Sequence, residues 1–169
     1  AVDGRHGQPV IAIAIPRTIL AEIYAHARAA FPEECCGYLV GPPGGAHVDG
    51  RVACRNAQHD GDHPTQPDRG ADTGFVIGGA ELLAFARSLA GERPARVVYH
   101  SHTNGRAYFS DVDRAVAAAE TGPHYPVQHL VVGVTAAGPT EAAQFAWSDE
   151  ARDFVEVARW SVDTARPGV

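Results

Sequence analysis

The 169-residue chain sets 14 Lys+Arg against 20 Asp+Glu for a formal net charge of −6, and with no basic block it is a poor candidate for nucleic acid or an anionic membrane. At 45% hydrophobic and 20% charged it has the composition of an ordinary globular protein, long enough for one domain with a sizeable core. No apolar run approaches the roughly 20 residues of a membrane span, and residues 1–8 do not read as a signal peptide. All 14 bases are arginine and methionine is absent, a skew that looks like coding bias. Three cysteines, two of them adjacent (Cys35 and Cys36), make a disulfide framework improbable and favour a reducing cytoplasm. The nine histidines are the excess to explain.

In chain order, residues 10–15 (VIAIAI) read as a β-branched strand. Pro16 opens a helix over residues 16–30, with Ile19, Leu20, Ile23, Ala27 and Ala30 at helical spacing, and Pro32 stops it. Residues 36–40 (CGYLV) form a strand closed by a Gly/Pro turn, and residues 47–57 a third that returns beside it. Residues 58–74 lack periodicity and read as a long flexible loop. A helix over 79–89 turns Leu82, Leu83, Ala86 and Leu89 to one face. Residues 96–102 (RVVYHSH) are a strand, 111–120 a helix, and 127–134 the most apolar and central strand. A hairpin of strands over 141–147 and 154–162, turning at Ser148-Asp149-Glu150, closes the chain, with a frayed tail over 164–169. The order predicts a single α/β domain over residues 8–163, a mixed β-sheet flanked by helices.

The chemistry concentrates after the RVVYHSH strand. Side chains alternate along a strand, so His100 and His102 share a face while Ser101 points away. Ser110 and Asp113 follow at the start of a helix. Two imidazoles and a carboxylate give three protein ligands and leave a fourth tetrahedral position open, the arrangement of a catalytic zinc site. Ser110 with Asp113 is also, by itself, a capping box, and the two readings are compatible. His59-Asp60-Gly61-Asp62-His63 could be a second metal site, but a solvated loop is the simpler reading. His124 and His129 read as helix-terminus and strand residues, and Trp147, Phe154 and Trp160 as packing residues of the hairpin.

The string His100-Ser101-His102, Ser110, Asp113, preceded by Pro32-Glu33-Glu34-Cys35-Cys36-Gly37, resembles the JAMM (MPN+) zinc metallopeptidases. The resemblance runs from the first helix through the hairpin. Within the family it resembles compact bacterial enzymes acting on ubiquitin-like sulfur carrier proteins, where Thr103 after the second histidine and Ala107-Tyr108 before Ser110 also fit. It implies a cytidine-deaminase-like sandwich holding one Zn2+ per chain. It implies His100, His102 and Asp113 as ligands and Glu34 as general base for a zinc-bound water nucleophile. Ser110 would be the donor to the oxyanion. Glu33 competes as base; the spacing of Glu34 from Pro32 and Gly37 favours the latter. Cys35 departs from the small residues usual there and reads as a small buried thiol.

The implied reaction is hydrolysis of a peptide or isopeptide bond at the C-terminal Gly-Gly end of a small ubiquitin-like sulfur carrier protein. Thr103, Arg106 and Tyr108 are candidate substrate contacts; in a lysine-free chain Arg106 is the first basic residue to consider against an acidic carrier. The competing readings are a deubiquitinase-like isopeptidase or small-amide zinc hydrolase, and a non-catalytic scaffold of the same fold. The sequence leaves monomer and homodimer open and does not name the residue removed.

Overall fold

A computed structural model describes residues 10–57 and 77–162. The predicted loop over 58–74, with its second histidine-aspartate cluster, and the tail over 164–169 lie outside the described residues. The elements are α1 (Arg17–Ala30), β1 (Cys36–Val40), β2 (Gly50–Cys54), α2 (Gly79–Ser88), β3 (Ala95–His102), α3 (Asp111–Ala117), β4 (Ala118–Ala119), β5 (Gly122–Pro123), β6 (Gln128–Thr135), β7 (Gly138–Ser148) and β8 (Asp153–Ser161). Six strands form one mixed sheet in the order β2-β1-β3-β6-β7-β8, in which only the β3–β6 pair is parallel. Among the described residues, no helix is long and apolar enough to cross a membrane.

Strand alternation divides the core between the two faces of this sheet. On one face α1 lays Ile19, Ile23 and Ala27 over Leu39, Val97, Tyr99, Leu130 and Val132. This matches the helical spacing read from the sequence. Gly37 is required here because a Cβ would lie 2.5 Å from the Tyr99 hydroxyl and from the Val52 carbonyl oxygen. On the other face Tyr38, Val98 and Val127 pack with Phe85 of α2, while Phe109, Val131, Phe145 and Phe154 form a second cluster. β3 lies between β1 and β6. Its polar C-terminal end is therefore flanked by strands on both sides.

Three sequence expectations are corrected. Residues 10–15 are extended but not a strand: Ala14 makes a single parallel bridge to His47. Side chains take the place of a strand partner there. Ile13 N–H donates to Gln128 Oε1 at 2.9 Å, while Gln128 Nε2 and Gln144 Nε2 donate to the carbonyls of Ile11 and Ile13. In α2 the buried side chain is Phe85, and Leu82 and Leu83 stay exposed. The helix rests on one aromatic anchor rather than on its leucine pair. Helix α3 ends at Ala117, not at residue 120, and a two-stranded ribbon (β4 and β5) follows. With no buried residue in α3, alanine propensity has no packing to extend it. Gly122, at φ 131°, instead lets the chain turn back. His124 consequently lies after the ribbon rather than at a helix terminus.

Candidate metal centre

His100 and His102 leave the same face of β3, and their Nε2 atoms are 3.1 Å apart. His100 is fully buried and His102 nearly so. Ser101 points to the α1 side, as alternation requires, and there its Oγ accepts the Cys35 N–H at 2.8 Å while its own N–H donates to the Cys35 carbonyl. The middle residue of the motif thus fastens the Glu34–Cys35 segment to β3. Asn56, at the end of the β2 arm, adds a bond from Nδ2 to the Glu34 carbonyl at 3.0 Å. These bonds hold the buried Glu34 carboxylate near the histidine pair: one ligand atom from each of Glu34, His100 and His102 lies within 4.8 Å of the others.

Asp113 approaches from α3. Its Oδ2 is 3.3 Å from both Nε2 atoms and accepts the Ser110 N–H at 2.9 Å. Ser110 Oγ in turn accepts the Asp113 N–H at 3.0 Å, completing the capping box. The bond to Asp113 uses Ser110 Oγ as acceptor and leaves the hydroxyl hydrogen to be donated elsewhere. The cap and the site are one construction: the bonds that start α3 also aim the carboxylate.

The electrostatics are those of a tightly coupled cluster. Burial raises the Asp113 carboxyl, but the charge of His100 and the bonds to both imidazoles outweigh it and hold Asp113 well below the ordinary carboxylate range. Burial pushes His100 down, yet the adjacent Asp113 carboxylate carries it above the usual imidazole value. His102 goes down, through burial first and then the charge of His100. The donor set fits a small divalent cation. A tetrahedron with 2.0–2.1 Å arms has edges of about 3.3 Å, close to the observed 3.1, 3.3 and 3.3 Å among the two imidazoles and Asp113.

The segment between the two halves of the site is held from outside it. Thr140 Oγ1 donates to the Gly105 carbonyl at 2.5 Å, Arg159 Nη2 to the Ala107 carbonyl at 2.6 Å, and Arg114 Nη1 to the Phe109 carbonyl. Arg114 and Arg159 are themselves oriented by Asp153 and by Glu141 and Glu156. The Tyr108 ring lies 4.5 Å, centroid to centroid, from that of His102 and is 44% exposed, so it forms the rim of the site. Arg106 is exposed on the same segment and Thr103 half-buried at its start. Sequence reasoning missed Thr140, Arg114, Arg159 and Asn56. Thr140, Arg159 and Asn56 act on backbone groups 35, 52 and 22 positions away, and no local pattern records such a contact; Arg114 reaches the Phe109 carbonyl only five positions back.

Residues 16–150 match the family described as prokaryotic homologs of the JAB domain. The chain belongs to this family. Its fold is a single JAB/MPN-like α/β domain, with a mixed sheet and three helices among the described residues; the element order predicted the mixed-sheet α/β class and the resemblance implied the family. This JAB-domain chain is 31% identical over 118 residues to the CysO-cysteine peptidase of Mycobacterium tuberculosis (strain ATCC 25618 / H37Rv), covering 69% of the chain and 72% of that relative. Two solved structures share the fold. Protein DSY2949 from Desulfitobacterium hafniense has a TM-score of 0.56 at 22% identity, over 84% of this chain and 87% of that one. A protein from Salinibacter ruber has a TM-score of 0.56 at 23% identity, over 90% and 94%. Family and curated relative together support peptidase-type hydrolysis.

Proposed function

We propose that the chain is a zinc metallopeptidase of JAMM type that hydrolyses the bond following the C-terminal Gly-Gly of a small ubiquitin-like sulfur carrier protein. The observation that carries this is the pair of carboxylates, buried Glu34 and partly buried Asp113, converging on two imidazoles whose Nε2 atoms are 3.1 Å apart. The mycobacterial relative's name supplies the substrate class. His100, His102 and Asp113 would hold Zn2+, which when bound polarises a carbonyl and lowers the pKa of a water to roughly 7.

The remaining chemistry belongs to the chain. Glu34, buried and anchored through its own carbonyl by Asn56, takes a proton from the attacking water and passes it to the leaving amine. Ser110 donates its hydroxyl hydrogen to the developing oxyanion. Tyr108 on the rim, with Arg106 and Thr103 beside it, would guide the extended carrier tail. Glycine at the two positions before the scissile bond would let that tail pass close to the protein backbone. Three buried free thiols accord with the reducing compartment read from the sequence.

A second assignment has a specific observation behind it, because Glu34 also lies within ligand distance of both histidines and could exchange roles with Asp113. Glu34→Gln separates the two. As base, its loss leaves stoichiometric zinc and abolishes carrier cleavage, followed by mass spectrometry with carriers from the same genome. As ligand, its loss removes the zinc. A zinc-loaded wild-type protein that shortens no carrier would refute the substrate assignment, and a protein that binds no zinc would leave only a scaffold.

A further inference from the structure

Beside the metal centre, on the same face of the sheet, the described residues leave a cavity of about 520 Å3. Its floor is Val98 and Val127, its walls are Leu82 and Phe85 of α2 with Val112 and Val116 of α3, and His100 and Asp113 close one end. The cavity arises because α2 and α3 are thinly packed. α3 buries no residue and α2 only Phe85. Leu82 and Val116, which line the cavity, remain 38% and 42% exposed. An apolar crevice of this size that opens onto a candidate reactive centre and is not filled by side chains of the described residues has the usual form of a ligand site, for which roughly 300–1,000 Å3 is typical. Its position also constrains the ligand: whatever occupies it lies against His100 and Asp113, two of the proposed zinc ligands.

Glycine has no side chain, so a Gly-Gly tail cannot fill the cavity. A cysteine, the residue in the mycobacterial relative's name, would leave most of it empty. We infer that the cavity receives a large apolar side chain, aromatic or long aliphatic, from the residue directly beyond the Gly-Gly, so that the departing residue is of this class. The inference rests on the peptidase reading for which side of the bond is bound, but the apolar selectivity of the cavity does not.

The probes are N-acetyl-Gly-Gly-Phe, -Leu, -Cys and -Asp. Their binding to the full chain is followed by NMR shifts of the valine and leucine methyl groups, and their hydrolysis by zinc-loaded protein is measured in parallel. Phe and Leu are expected to bind about 10-fold or more tighter than Asp, as burial of one large apolar side chain predicts, and to be cleaved with the same preference. Val116→Trp, at a position exposed enough to accept bulk, should fill the cavity and reduce that preference below about 2-fold. Leu82→Asp, which puts a charge in the opposite wall, is the second variant should the first fail to fold. Equal binding of all four peptides, or a Phe preference unchanged in both variants, overturns the inference. Cleavage without side-chain preference does so too while leaving the peptidase reading intact. A Phe preference in binding with no cleavage of any peptide or carrier retains the cavity's ligand class and overturns the peptidase reading instead.

Discussion

Gly133 offers a direct test of how the segment over the metal centre is positioned. It lies in β6 opposite His102 of β3. A Cβ at this position would stand 2.5 Å from the Gly105 carbonyl carbon and oxygen and 2.7 Å from the Arg106 nitrogen. All three are backbone atoms, so no side chain can swing aside. Gly105 is held at φ 78°, and Thr140 Oγ1 ties its carbonyl to that of Gly133, at 2.5 and 3.1 Å. In Gly133→Ala the 105–106 peptide must therefore retreat by about 0.9 Å to reach the 3.4 Å where ordinary contact begins. That peptide leads to Tyr108 over His102 and on to Ser110. Overpacking of this kind costs about 1–3 kcal/mol, and at about 2–4 °C per kcal/mol for a domain of this size a fall in Tm of several degrees is expected. A misplacement of about 1 Å near reacting groups can cost about 100-fold, so kcat/KM on a carrier should drop by that order. Zinc stoichiometry should hold, because the imidazoles stay on β3. Gly91→Ala, where the added Cβ would lie in ordinary contact 3.4 Å from the Ser88 carbonyl oxygen, is the control. Wild-type kcat/KM in a Gly133→Ala protein that retains zinc would refute the claim that this segment positions the reaction, whatever happens to Tm.

Arg159→Ala removes the donor to the Ala107 carbonyl; because its ion pairs are about half exposed, Tm should change by no more than the equivalent of about 1 kcal/mol. Activity should fall by about 10-fold through the displaced segment, with partial rescue in Arg159→Lys, and an unchanged kcat/KM would remove Arg159 from the positioning role. Stripping zinc with a chelator should lower Tm by about 10 °C when the metal had been present at about 1,000 times its Kd; scanning calorimetry with and without added zinc checks this, and identical traces would argue against a metal held by the folded state. The thiols should be inert. Burial pushes Cys35 up to about 11 and Cys54 up to about 12, and Cys36 higher still, so iodoacetamide at pH 8 should label none of the three in the native protein and all of them in denaturant, counted by mass. Rapid labelling of Cys35 or Cys36 in the folded state would overturn the reading of these thiols as inert packing groups.

The residues of the candidate metal centre were legible because they lie in short, local strings. The two histidines are two apart on a strand, so alternation alone puts them on one face. Ser110 and Asp113 are three apart at a helix start, so the capping box places both side chains. Helix α1 was equally plain, its apolar stripe meeting a single sheet face. The sequence was misleading where backbone groups are satisfied over long distances. Residues 10–15 look like a strand because they are β-branched, but beyond the single bridge at Ala14 the hydrogen bonds of Ile11 and Ile13 go to Gln128 and Gln144 side chains more than one hundred positions away. Helix α3 looked longer because alanine favours helix, yet without a buried face that propensity does not decide where the helix ends.

The sequence by itself determined the family, most of the order of elements and the proposed ligands, since each depends on spacing along the chain. Only the tertiary structure decided three things: that Glu34 reaches the histidine pair from a separate segment, that Thr140 and Arg159 hold the Gly105 and Ala107 carbonyls, and that an apolar cavity opens beside His100 and Asp113. The physical reason is common to all three. Each depends on atoms brought together across the sheet by strand register and helix packing, and a contact of that kind leaves no period and no motif along the chain.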